Sequence, residues 1–341
     1  MAALTRSDPR WAEAPFYARW AVPFLDDRRD VVFVALMMQC GLVAAAGVGL
    51  FFAGRWFWWL APAYLVILFA GVIDRFTLML HCTSHRPLFR GAHPLADLVI
   101  PWVLGPFMGQ TPGTYFAHHI GMHHAEENGP GDLSSTERFQ RDRFGHWLRY
   151  WGRFMSVGLF DLVGYFRRTG RRRLLRRVIV GEAVYWTAIA VLAVVNPKAT
   201  FVVFLLPYLV MRTLMMAGNW AQHAFVRPER STQPLAASLT CVGTRYNRRC
   251  FNDGYHAVHH ATPRCHWTDH PAAFEGQLEA YGRNDAVVLE GVDFFQVWLL
   301  LMTGRWDRLA RAFVRLPGAP ARTHDEVVAF LQSRVRPIAP R

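Results

Sequence analysis

The residues of this chain that could do chemistry are its histidines, and they stand in clusters. His81 and His85 form H-x-x-x-H in HCTSH, His119, His123 and His124 form H-x-x-x-H-H in HIGMHH, and His256, His259 and His260 form H-x-x-H-H in HAVHH. Asn219 and His223, in NWAQH, lie between the second and third clusters. Only 15 of 341 residues are histidine, so chance does not produce such grouping. Neutral imidazole is the commonest metal ligand, and an i,i+4 spacing sets two rings on one helical face. Nine clustered histidines are too many for one ion and suit two.

Imidazole-rich sites favour zinc, copper, iron or nickel. Zinc hydrolysis of the H-E-x-x-H kind needs a glutamate as general base. That position holds Cys82 in the first cluster and Ile120 in the second. Two redox metals that activate dioxygen fit better. A zinc or copper transporter, the rival of another class, would need ligands within a bilayer. Cys82 leaves the helical face that His81 and His85 share. The five cysteines form no C-x-x-C pair and suggest no disulfide scaffold.

These clusters need elements to carry them. The composition, 52% hydrophobic and 18% charged, points to a membrane protein, while a mean hydropathy of +0.10 leaves much of the chain outside a bilayer. Four apolar runs are long enough to span: 31–52, 56–73 continuing as helix to 85, 178–195 and 200–218. The third carries Glu182 and the fourth Arg212. Short turns join the first to the second and the third to the fourth, giving two helical hairpins. From Trp56 to His85 one helix would reach about 45 Å, so His81 and His85 would stand beyond an apolar layer of about 30 Å. The fourth span would likewise carry Asn219 and His223 out of the membrane. The expected fold is all-α and polytopic, one domain over residues 1–341. Segments 86–177 and 219–341 would form a helical cap over the site.

Charge indicates sidedness. The net charge is +13, and 35 of the 38 Lys and Arg fall in 1–30, 74–177 and 219–341. The positive-inside rule puts those segments, and every histidine, on the cytoplasmic face. That explains the basic pI without nucleic acid. The chain is expected in a bacterial inner membrane or the endoplasmic reticulum, with no cleavable leader in residues 1–30. Residues 95–108 are apolar but too short to span and read as re-entrant or interfacial; 147–166 reads as an interfacial helix. The basic run RRTGRRRLLRR, 167–177, reads as a solvated anchor to anionic lipid. A docking patch for an acidic electron donor is the sharper alternative.

The boxes HCTSH, HIGMHH and HAVHH, interleaved with four spans and accompanied by NWAQH, resemble the membrane fatty acid desaturase superfamily. The resemblance covers residues 31–265. It implies a non-haem di-iron centre with His81, His85, His119, His123, His124, His223, His256, His259 and His260 as ligands and Asn219 reaching iron through water. His118 is the alternative to His119. The i,i+4 relation to His123 favours His119. Asp74, Glu126, Glu127 and Asp253 are candidates to orient the imidazoles. No catalytic side chain beyond the ligands is implied. The resemblance implies O2 as co-substrate, two iron ions, a fatty-acyl or lipid substrate, and a separate electron donor of ferredoxin or cytochrome b5 type with its reductase, since no H-P-G-G haem motif appears. Desaturation is the first reading. The H-x-x-x-H-H second box also resembles alkane monooxygenases, so hydroxylation or ketolation of an alkyl, lipid or carotenoid substrate is the alternative.

Overall fold

A computed structural model describes residues 15–227 and 234–338. The expectation of no leader rests partly on residues 1–14, which lie outside the described residues. The described chain is predominantly helical, with one two-stranded sheet of three residues per strand. It divides into two compact units, each built from separate stretches. The span unit comprises residues 15–121 and Leu162–Thr213; the C-terminal unit comprises Met122–Asp161 and the described part of Leu214–Arg341.

Among the described residues, four helices are long and apolar enough to cross a membrane: Arg28–Leu50, whose α-helical part is α1 (Val31–Leu50), then α2 (Gly54–His85), α5 (Arg172–Val195) and α6 (Pro197–Gln222). The twenty uncharged residues of α1 give a rise of about 30 Å. The chain then turns, with Gly54 at φ +52°, a conformation glycine adopts without a steric penalty. Helix α6 starts three residues before the apolar run predicts. Asn196 caps it by accepting from the amide of Ala199, and Pro197 occupies the first turn, where its missing N–H costs nothing. Helix α5 starts at Arg172 because arginine is a good helix former and extends the apolar segment.

Helix α2 runs unbroken to His85 as the sequence predicts, but it contains a π-helical turn at Ile67–Val72. Such turns free carbonyls from the regular ladder. Arg75 satisfies one: its guanidinium donates to Gly71 O at 2.6 Å and to Gln39 Oε1 of α1 at 2.9 Å. A charge beside an apolar span is thus spent on the helix's own irregularity. Gly47 lets three spans approach, since a Cβ there would lie 3.0 Å from Val203 Cγ1 and 3.2 Å from the Tyr64 hydroxyl. Between α2 and α5 the chain forms an apolar helix, α3 (Ala96–Met108), too short to span. It then enters the helical stretch α4 (Thr114–His118), which continues as a π turn at His119–His123 and ends at Glu126.

The buried carboxylate of Glu182 on α5 is fully engaged. It accepts from the hydroxyls of Thr111 and Thr114 at 2.5 and 2.6 Å and from the Trp186 indole at 3.0 Å. Beside it Gly181 packs so tightly that a Cβ would fall 1.7 Å from Pro112 O. Residues 111–114 are therefore pinned to α5.

In the C-terminal unit, strands β1 (Thr240–Val242) and β2 (Val288–Glu290) pair in parallel. An apolar core around Phe225, Leu239, Leu289, Leu301 and Leu331 joins the segment after α6 to the C-terminal helix α8 (His324–Arg334). Helix α7 (His256–Ala261) carries the third histidine box and is buried except at its last residue.

Candidate metal centre

The span unit brings together His81, His85 and His119. One ring nitrogen from each lies within 4.8 Å of the others. His81 and His85 project from the last turns of α2, and His119 opens the π turn after α4. The Nε2 atoms of His85 and His119 are 2.9 Å apart, and the ring centres of His81 and His119 are 4.5 Å apart. Tyr115 stacks on His119 at 5.4 Å.

The C-terminal unit brings together His123, His223, His256 and His260, all buried, again with one nitrogen each within 4.8 Å. His256 and His260 are i,i+4 on α7, with Nε2 atoms 3.1 Å apart. In the same unit His124 Nε2 lies 3.0 Å from His259 Nε2. The eight box histidines and His223 therefore each face another histidine of this set.

These spacings fit a metal. An imidazole nitrogen sits ~2.1 Å from a first-row divalent ion, so two donors at right angles on one ion stand ~3.0 Å apart. The pairs at 2.9, 3.0 and 3.1 Å match that separation. The donor chemistry agrees with it. Asp132 accepts His123 Nδ1–H at 2.7 Å, and Ala237 O accepts His223 Nδ1–H at 3.0 Å. Each bond fixes the tautomer that leaves the Nε2 lone pair free for a metal. His223 Nε2 is buried and has no hydrogen-bond partner. Burial, reinforced by His123, pushes the His223 pKa down to about 3. Burial and the neighbouring histidines push His260 well below its usual range. Both rings are held neutral, the form that binds metal.

Asp132 escaped sequence reasoning. Its fully buried carboxylate also receives the amides of Asn128 and Ser134 and the Ser134 hydroxyl. The available signal was local: GPGDLSS is a turn in which Asp and Ser bond to nearby backbone. Each of the four acids predicted to orient imidazoles also has a place in the local fold. Asp74 accepts the amide of Arg75, and Asp253 accepts the hydroxyl of Tyr246 at 2.7 Å. Glu126 lies against Gly131, and Glu127 is exposed and left-handed at the helix end. Asn219 donates to Ser134 O at 3.0 Å and to the Tyr150 hydroxyl at 2.7 Å, which ties α6 to the Asp132 loop.

The i,i+4 pair of His119 and His123 has an unexpected use. The stretch is π-helical, and the two rings serve different groups, one in each unit. His118 is not among the residues of either group. Outside the boxes, His146 accepts the Gln140 amide, His266 caps Thr268 and His324 faces Asp307 on the surface.

Thr136 and Arg141 support the C-terminal group and were also missed. The Thr136 hydroxyl donates to His223 O at 2.8 Å. Arg141 is fully buried, and its guanidinium donates to the carbonyls of Ala224, Thr136, Glu137, Phe139, Arg334 and Arg336. Burial lowers its pKa to about 10, so it remains charged at neutral pH.

Four apolar spans and histidine groups with metal-ligand spacing define an all-α membrane protein with candidate metal sites. The family model for fatty acid desaturase matches residues 62–290, more than half of the chain and all three boxes. The chain belongs to the fatty acid desaturase family and is an integral membrane protein. No curated protein matches it.

Proposed function

We propose that the chain holds two iron ions and uses O2, with electrons from a separate ferredoxin or cytochrome b5 type donor, to desaturate a fatty-acyl chain. The observation that carries this reading is the set of imidazole nitrogens about 3 Å apart in a member of this family. His123, His223, His256 and His260 would hold one ion, and His81, His85, His119, His124 and His259 are the remaining proposed ligands. Asn219 would reach the metal through water. Iron bound there supplies O2 activation and the oxidising power to take hydrogen from an unactivated C–H bond.

The protein's own part is holding and orienting. Asp132 and Ala237 O keep two ligands in the metal-binding tautomer. Burial excludes water and keeps the imidazoles neutral. No further acid or base side chain is required. Fixing one carbon of the chain beside the histidines that would hold the metals would decide the outcome between an alkene and an alcohol. Hydroxylation is the second reading, favoured by the H-x-x-x-H-H spacing of the second box. The charge asymmetry supports a site on the cytoplasmic side of the membrane, a bacterial inner membrane first and the endoplasmic reticulum as the alternative.

The test is metal analysis of purified protein together with lipid mass spectrometry of a host expressing the chain or a His124→Ala variant. The expected result is about two irons per chain and a new double bond absent with the variant. A new hydroxyl selects the second reading. One zinc and no iron, in protein made with iron available, overturns both.

A further inference from the structure

The span unit contains a cavity of about 270 Å³ that His85 and Arg177 both line. At ~30 Å³ per water-sized group it takes about nine such groups, the size of a head group with a few carbons rather than a whole acyl chain. Its wall mixes apolar Leu80, Leu98 and Pro101 with three charged residues, Arg86, Asp97 and Arg177.

Two of those charges are already engaged. Arg86 lies 3.4 Å from Asp27 Oδ2. Asp97 accepts the amides of Leu88 and Phe89 at 2.9 and 3.2 Å, so backbone donors already engage its carboxylate. Arg177 differs: it makes no hydrogen bond or ion pair among the described residues. Its guanidinium lies 4.0 Å over the Phe116 ring, which supports one face, and both residues line the cavity.

The position of Arg177 is built. Its stem runs against Gly113, where a Cβ would lie 2.8 Å from Arg177 Cγ and where φ is +78°. Only glycine meets both conditions without strain. The same segment is pinned to α5 by Glu182 and by the approach of Gly181 to Pro112. The basic run that reads as a solvated anchor therefore divides. Arg172, Arg173 and Arg176 are exposed, whereas Arg177 turns inward.

We infer that this cavity binds the anionic head of the substrate, a carboxylate or a phosphate, with Arg177 as the residue that selects it beside His85. This rests on the proposed acyl-oxidising reading and narrows it to lipids with an anionic head, against alkanes, sterols or carotenoids.

Binding tests it without turnover. Purified iron-loaded protein in phosphatidylcholine nanodiscs is titrated with dodecanoate and with dodecanol, followed by tryptophan fluorescence. The wild type is expected to bind the acid at least ten-fold more tightly. Arg177→Gln should remove that preference to within about two-fold, Arg177→Lys should keep part of it, and the exposed control Arg172→Gln should keep all of it. Equal binding of acid and alcohol by the wild type overturns the proposal. So does a preference that survives Arg177→Gln or is lost equally in Arg172→Gln, which would assign it to surface charge. Adding phosphatidylglycerol to the nanodiscs separates the sources: Arg177-dependent competition with dodecanoate identifies a lipid phosphate, and no competition identifies a free carboxylate. Either supports the anion site. If no lipid is oxidised but the Arg177-dependent preference holds, the functional reading fails and the site stands. If product forms and Arg177→Gln binds as the wild type does, the site fails alone.

Discussion

The histidines of the two units are the same chemical group held in different ways. In the C-terminal unit, His123 and His223 are tied through Nδ1 to a buried carboxylate and a backbone carbonyl, and all four rings of the group are buried. In the span unit, the rings stand at the end of a long membrane helix, and His85 is half-buried and lines a cavity. A ligand whose second nitrogen is fixed is pre-oriented and loses little entropy on binding metal. A ligand on a cavity wall adjoins whatever enters. The contrast separates retention from access, and each side can be broken on its own.

The largest effect is expected from His260→Ala. His260 lies 3.1 Å from His256 and stacks on His124 at 4.7 Å, so its loss opens the most enclosed group. Turnover should fall below detection and iron content should drop by at least one ion per chain. Two irons retained in this variant would show that the buried group is not a metal holder.

Asp132→Asn comes next. The substitution keeps shape but removes the charge that fixes His123, and such changes cost ~10–100-fold in metal affinity. Competition with a chelator should show a loss in that range while His85→Asn leaves His123 orientation unaffected. Unchanged affinity would remove the argument for retention by tautomer.

Much of this was legible in the sequence, and the missing part has a physical pattern. The boxes and spans are periodic features of contiguous residues, so His81, His85, His256 and His260 and the four long helices could be read directly. The carboxylate that orients His123 could not, because it acts from a turn nine residues away, and sequence separation carries no direction. Asp74, a candidate read from the sequence, accepts the next amide. The π turns at Ile67–Val72 and His119–His123 are invisible to a 3.6-residue template. Arg177 sits inside a charge run whose composition says only that it is basic.

Arg141 tests the support of the closed group. Its guanidinium meets six carbonyls, and lysine has one nitrogen with three donors. Arg141→Lys leaves buried acceptors unmet, at ~1–3 kcal/mol each before relaxation, so a loss of about 3 kcal/mol is reasonable. Denaturation should show a Tm lower by roughly 5–10 °C. The wild-type Tm in this variant would mean that the carbonyls find other donors.

His118 and His119 sharpen the open group. His119 faces His85 at 2.9 Å, whereas His118 belongs to neither group. His119→Ala should be inactive and iron-poor. His118→Ala should keep its iron and partial activity. The reverse result would shift the second box by one residue.

The smallest effect is expected at His324, and its value lies in the contrast with Arg141 on the same helix. Both touch α8, His324 at its first residue and Arg141 through Arg334 O at its last. The His324 ring is 47% exposed and lies 3.5 Å from Asp307, which is 77% exposed. Exposed pairs contribute ~0–1 kcal/mol. The start of α8 does not depend on it: the Thr323 hydroxyl accepts the Glu326 amide and the Glu326 carboxylate accepts the Thr323 amide. That reciprocal cap survives the substitution. His324→Ala should therefore leave iron content and turnover unchanged and move Tm by no more than a degree or two. A larger loss would mean that α8 supports the closed group through its start as well as through Arg141.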